Sequence, residues 1–281
     1  MSNSMRFSKL IRYNIETCSI GELESFFSKE ILSHTRPTTE LNTFEGLFRS
    51  RIIKEEDIEK IKSVKQIWYR DQSVIKLEEQ KFGRCNDKGQ NFFYSSNTVE
   101  ATIKELRPTN REYLLIGEFK CRTNSIPPKC HFAGIEILRK SDMWKHLLGN
   151  YAYENQFDRE IEKFISSCFH RPIDKGREFE YKYTIAFTNI LLKNQETSGL
   201  VYPSVASSLK LINYGFKPQY VDDNLYCSNV WIYRYLSDGK NISLKPLKYA
   251  EIEEGQGESK NSKLEFHDTP NIGKKILKYN W

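Results

Sequence analysis

The sequence predicts an α+β fold: a mixed β-sheet core with flanking helices and a helical insertion. Three observations predict it. Some segments repeat apolar residues at helical spacing, and others are short apolar or alternating runs. The two kinds are interspersed along the chain, with Gly, Pro and Asn turns between them. The 281 residues are 38% hydrophobic and 13% aromatic, enough apolar surface to fill a globular core.

Taken in order, Ser19 and Glu22 form a capping-box signal, followed by Leu23, Phe26, Phe27 and Ile31 on one helical face. That helix is expected to end at 33–39, where Pro37 sits among polar residues. Residues 44–53 read as a strand carrying Arg49 and Arg51. The acidic start Glu55-Glu56-Asp57 opens a short helix with Ile58 and Ile61 on one face. A turn at 83–89 leads into the apolar strand Asn91-Phe92-Phe93-Tyr94. Asn97 then reads as an N-cap with Glu100 three residues on, and the helix it opens reaches Leu106 before Pro108.

Strands are expected at 112–121 and 131–138, separated by a turn with Pro127-Pro128. From 141 to about 193 the pattern is helical, with stripes Ile161, Phe164, Ile165, Cys168 and Phe179, Tyr183, Phe187, Ile190 that read as core. Strands resume at 199–203, 209–217 and 230–235. Residues 253–263 are Gly-, Ser-, Glu- and Lys-rich and read as a flexible segment. The organisation predicted is a helical extension at 1–43, a main domain at 44–240 with its insertion at about 141–193, and a C-terminal strand and flexible tail at 241–281.

Composition narrows the function classes. The longest apolar runs, such as 184–192, fall short of the roughly 20 residues that span a bilayer, so no membrane span is expected. The opening MSNSMRFSKL lacks an apolar signal-peptide core, which predicts a cytoplasmic protein. The six cysteines are scattered without a C-x-x-C pair, and the five histidines show no zinc-site spacing. Reduced, mostly buried thiols are expected, and no metal. The net charge of +6, from 43 basic and 37 acidic residues, suits an anionic partner without specifying one.

Four segments concentrate unusual polar residues. In Phe48-Arg49-Ser50-Arg51, alternation along a strand puts both guanidiniums on one face, where planar forks suit phosphate or carboxylate. An exposed edge strand is the bland alternative. In Gly83-Arg84-Cys85-Asn86-Asp87-Lys88-Gly89 the glycines let backbone approach a ligand, and Tyr94, at the end of the following apolar strand, could stack on a base or nicotinamide ring. A hairpin turn and a core tyrosine explain the same residues. Glu105 lies on an otherwise apolar helical turn, as either a solvated residue or a site acid. In Gly199-Leu200-Val201-Tyr202-Pro203-Ser204, Pro203 fixes the backbone that directs the Ser204 hydroxyl, and Asn213 follows.

In this order and spacing the segments resemble the RES-domain family, named for its Arg, Glu and Ser. Arg49 and Arg51 match its opening Arg-x-Arg strand, with Arg70 in Tyr69-Arg70 as a competing first arginine. Gly83, Arg84, Asn86, Gly89 and Tyr94 match the next motif, with Glu105 eleven residues after Tyr94. Gly199, Tyr202, Pro203, Ser204 and Asn213 match the last. The resemblance covers residues 44–216. It departs in the long stretch 54–82 and in the extra helices between Glu105 and Ser204.

The resemblance implies an ADP-ribosyltransferase-like fold and an enzyme that depletes NAD by cleaving the nicotinamide–ribose bond, a toxin or bacterial-defence effector. NAD is then substrate, and no cofactor is required. The partner implied is a helix-turn-helix antitoxin or another regulatory protein, and a homo-oligomer is compatible with the sequence. Glu105 is expected to stabilise the oxocarbenium-like ribose. Arg49 and Arg84 would clamp the pyrophosphate with Arg51 in support, and Tyr94 would pack on nicotinamide. Ser204 would bond ribose or carboxamide, beside Tyr202, while Asn86 and Asn213 brace loops. Protein ADP-ribosylation is the alternative with the same bond broken. A non-catalytic nucleotide- or nucleic-acid-binding module is the second, disfavoured because no basic stripe is present.

Overall fold

The computed structural model describes residues 14–30, 38–41, 46–140, 156–238, 241–253 and 261–268. Its architecture is α+β, with mostly antiparallel strands and several helices. In chain order the elements are α1 (Ile20–Glu30), β1 (Thr38–Glu40), β2 (Leu47–Ile53), β3 (Phe93–Ser96), α2 (Val99–Leu106), β4 (Tyr113–Cys121), β5 (Lys129–Phe132) and α3 (Ile135–Leu138). They continue with α4 (Gln156–His170), α5 (Lys182–Leu191), β6 (Gly199–Pro203), β7 (Ile212–Phe216), α6 (Pro218–Asn224), β8 (Leu225–Ser237), β9 (Ile242–Glu251) and β10 (His267–Asp268). Short 3-10 turns fill much of 55–79 and residues 178–181. Among the described residues no helix is long and apolar enough to cross a membrane.

The chain forms two compact units that interleave in sequence. The first comprises residues 1–41, 71–92 and 128–205; the second comprises 42–70, 93–127 and 206–281.

In the first unit β1 pairs antiparallel with β5, and β5 runs parallel to β6. Helix α1 starts as its sequence signal requires: Ser19 Oγ accepts from the Glu22 amide, and Glu22 Oε2 accepts from the Ser19 amide. Its buried residues Leu23 and Phe27 face α5, where the Phe27 and Phe187 rings stack 4.1 Å apart with Phe164 and Tyr183 around them. Lys182 Nζ donates to the carbonyls of Ile15, Glu16 and Cys18, holding the segment before α1 against α5.

The sequence predicts one strand over 131–138, but the structure ends β5 at Phe132 and opens α3 at Ile135. Gly134, at φ +100°, makes the break. A Cβ there would lie 2.7 Å from Pro203 Cδ, so only glycine lets β6 pass this closely. The predicted helical stretch 141–193 contains α4 and α5, parted around Pro172 and Gly176; residues 141–155 lie outside the described residues.

The second unit orders its strands β7-β3-β2-β4-β8-β9-β10, all antiparallel. Helix α2 covers one sheet face, where Val99 and Ile103 join Leu114, Ile116, Trp231, Tyr233, Tyr235 and Tyr249, with Phe48 packed alongside. The N-cap is Thr98, not Asn97: Thr98 holds the extended cap conformation and its hydroxyl accepts from the Ala101 amide. Glu100 pairs with Lys104 one turn on. Strand β7 starts at Ile212, later than the predicted 209, because Ser208 and Leu209 have left-handed φ of 54° and 67°. Of the segment 253–263, residues 254–260 lie outside the described residues.

The stacked Phe27–Phe187 pair anchors α1 on α5, so Phe187→Ala should lower stability by about 3–5 kcal/mol in denaturant unfolding. A loss below about 1 kcal/mol would show that the aromatic cluster does not hold α1.

Candidate functional site

In the second unit the site starts from alternation along β2. Phe48 packs toward α2 and the apolar cluster, so Arg49 and Arg51 project from the opposite face. The residue opposite Arg49 on β4 is Gly117, where a Cβ would meet Ile67 Cγ1 at 2.8 Å. Strands β2 and β3 share one register pair, Phe48↔Ser96. Beyond it Arg49 reaches across: Nη1 donates to the Tyr94 carbonyl at 2.7 Å, and the guanidinium carbon lies 5.4 Å from the Phe93 ring centroid. Its Nε is buried and meets no acceptor among the described residues. Arg51 donates to the Trp68 carbonyl. That segment is fixed in turn by Asp222, which accepts from the Trp68 indole at 2.8 Å and the Tyr69 hydroxyl at 2.6 Å.

Neither guanidinium meets a carboxylate among the described residues. Burial, and then the charge of Arg51, pushes Arg49 down to about 9. Burial, and then the charge of Arg70, pushes Arg51 down to about 10. Arg70, the competing first arginine of the sequence, therefore adds to this cluster. A buried cation without a counter-ion is electrostatically incomplete, and an anionic ligand would complete it.

Glu105 ends the other half of this unit's candidate residues. It is exposed, on the last turn of α2, and its Oε1 accepts from Asn213 Nδ2 at 2.7 Å. Asn213 is buried on β7 opposite Ser96. Ser50 and Thr102 hydroxyls, 2.5 Å apart, tie α2 to β2. Tyr94, half-buried, shares the Ser96 side of β3 by alternation. Glu105, Asn213 and Tyr94 thus lie on the α2 face, and Arg49 and Arg51 on the other. The structure brings Glu105 to Asn213 and Arg49 to the Tyr94 backbone; it does not bring either β2 arginine to Glu105.

In the first unit the Gly83-Arg84-Cys85-Asn86 segment closes as a turn. The Gly83 amide donates to the Asn86 carbonyl at 3.0 Å, and Asn86 Nδ2 donates to the Asp87 carbonyl at 2.9 Å. Arg84 Nη1 donates to the carbonyls of Phe169 at 2.8 Å and Cys168 at 3.3 Å, and Nη2 to that of Arg171 at 3.2 Å. Its guanidinium carbon lies 5.3 Å from the Tyr181 ring centroid. Where the sequence assigns Arg84 to a pyrophosphate, the structure uses it to cap the C-terminus of α4, satisfying end carbonyls and opposing the helix dipole. Tyr202 is buried with its ring 5.8 Å from Phe169, and Ser204 is fully buried after β6.

Sequence reasoning missed Trp68, Tyr69 and Asp222, which set the acceptor of Arg51, and also Glu118, a lone acid inside the apolar strand β4. That interruption of an apolar run was the available signal. Among the described residues no group of three or more His, Cys, Asp or Glu could hold a metal ion. None of the six cysteines is in a disulfide, and four of them are buried. The chain matches no family model, no curated protein and no solved structure.

Arg49→Met tests the uncompensated charge. A buried cation whose pKa is depressed by folding destabilises the fold most below about pH 9, and the penalty fades as pH rises toward the ordinary arginine range. The variant should therefore unfold at equal or higher denaturant than wild type at neutral pH, and its relative advantage should shrink above about pH 9. Strong destabilisation at neutral pH would mean that the Tyr94 and Phe93 contacts already satisfy this side chain.

Proposed function

We propose that this chain is an NAD-degrading enzyme of ADP-ribosyltransferase-like fold that cleaves the nicotinamide–ribose bond. The observation that carries the reading is the Asn213–Glu105 hydrogen bond. Two residues picked out for one reaction, 108 positions apart, meet as a carboxylate and the amide that orients it. The arginine cluster supports it from the anionic end of the substrate, and the order of the RES-like motifs supplies the substrate class.

Cleavage withdraws the bonding electrons onto nicotinamide, which leaves as a neutral base, and positive charge develops on the ribose. A carboxylate held in place by Asn213 stabilises that charge without reorganising. Arg49 and Arg51, already desolvated, hold the pyrophosphate with a pair of forks. Arg49 donates to the Tyr94 carbonyl just beyond the one register pair of β2 and β3. Arg84, Asn86, Tyr202 and Ser204 enter by resemblance alone. Arg84 would have to exchange its carbonyl partners to take a phosphate. Water or phosphate is the acceptor in this reading, and a helix-turn-helix antitoxin or another regulatory protein would restrain the activity.

One observation favours protein ADP-ribosylation as the second reading: Glu105 is exposed, so a protein side chain could approach the ribose. The two readings part on the fate of adenine-labelled NAD, which ends as free ADP-ribose or its phosphate in the first and as labelled protein in the second.

Glu105→Gln keeps the size of the side chain and its hydrogen bond but removes the charge, so nicotinamide release should fall about 10²-fold or more. Asn213→Ala should cost about tenfold, through loss of orientation alone. Wild-type turnover in Glu105→Gln would remove this carboxylate from the reaction.

A further inference from the structure

Glu118 sits in β4 where the pairing with β8 slips by one residue: Glu118 faces Asn229 and Phe119 faces Cys227, leaving Ser228 as the extra residue of a bulge. Bulges re-aim side chains, and here the slip turns two donors onto one carboxylate oxygen. Ser228 Oγ donates to Glu118 Oε2 at 3.1 Å, and Asn229 Nδ2 donates to the same atom. Tyr249 donates its hydroxyl to Asn229 Oδ1 at 2.6 Å, which fixes the amide with its nitrogen toward the carboxylate. The Glu118 side chain is only 15% exposed.

Both bonds to the carboxylate land on Oε2. Oε1 takes none among the described residues and lies beside Gly46, where a Cβ would come within 3.0 Å of it. The nearest cation, Lys120 Nζ, is 3.9 Å from Oε2 on a side chain that is 42% exposed, a weak ion pair. Several aromatic side chains share this sheet face, Phe48, Trp231 and Tyr249 among them. Phe48, half-buried, stands directly across from Glu118 on β2. Tyr249 holds Asn229, and the Trp231 ring lies 5.7 Å from that of Tyr249. The Trp231 indole N–H is buried without an acceptor among the described residues.

We propose that Glu118, with Phe48 and Trp231, forms a binding site for a monovalent organic cation. A carboxylate with one oxygen that takes no bond among the described residues, on a sheet face with aromatic side chains, recognises such a ligand by ion pairing and by the ring quadrupoles together. The site is independent of the NAD reading, since Glu118 has no part in the chemistry assigned to Glu105.

The test is calorimetric titration of the full chain with 1-methylpyridinium, and with pyridine at mildly alkaline pH as its neutral counterpart, followed in parallel by tryptophan fluorescence. Wild type should bind the cation at least ~10-fold more tightly than pyridine. Glu118→Gln should bring the two affinities together with the near-ultraviolet dichroism unchanged. Phe48→Leu, which keeps an apolar side chain, should weaken the cation several-fold and pyridine less. Equal affinities in wild type, binding of neither compound, or an undiminished preference in Glu118→Gln would each overturn the site. None of these results bears on nicotinamide release, so the two proposals fail separately.

Discussion

The constraint on which the second unit rests is the alternation of β2. Phe48 must enter the apolar cluster beneath α2, and that commits Arg49 and Arg51 to the other face of the same strand. Both then lose water without gaining a carboxylate, and carbonyls of Tyr94 and Trp68 take single donors from forks that carry five. Shifting β2 by one residue would put two guanidiniums under α2 and take Phe48 out of that cluster, so the hydrophobic pattern fixes the position of the charge.

The same strand also locates the acid. Ser50 bonds Thr102, which seats α2 on β2, and the helix then delivers Glu105 from its last turn to Asn213 on β7. The helix stops there because Arg107 adopts a left-handed conformation ahead of Pro108. Acid and arginines are thus positioned by one set of packing contacts, although they occupy opposite faces. The cationic cluster is a cost to the fold, because its two guanidiniums are buried with carbonyls as their partners and no carboxylate among the described residues.

Much of this was legible in the sequence, for physical reasons. Ser19 and Glu22 announced α1 because a capping box is a local, reciprocal bond, and β6 was readable as an uninterrupted apolar run. The common face of Arg49 and Arg51 followed from a period of two. Local signals failed where backbone conformation decided the outcome: Gly134 turned a predicted strand into β5 and α3, and Ser208 and Leu209 delayed β7. The partners of the site residues were not legible. Arg49, Arg51 and Arg84 all bond backbone carbonyls, groups that every residue carries and that only tertiary structure brings within reach. Glu118 gave one sign, an acid in an apolar strand, but its three supporting residues come from β8 and β9.

The most direct measurement of the central claim is a mass balance on purified full-length protein incubated with NAD and resolved by chromatography. The account predicts that NAD disappears and that free nicotinamide accumulates in equal amount. NAD recovered intact, with no nicotinamide formed, would contradict it.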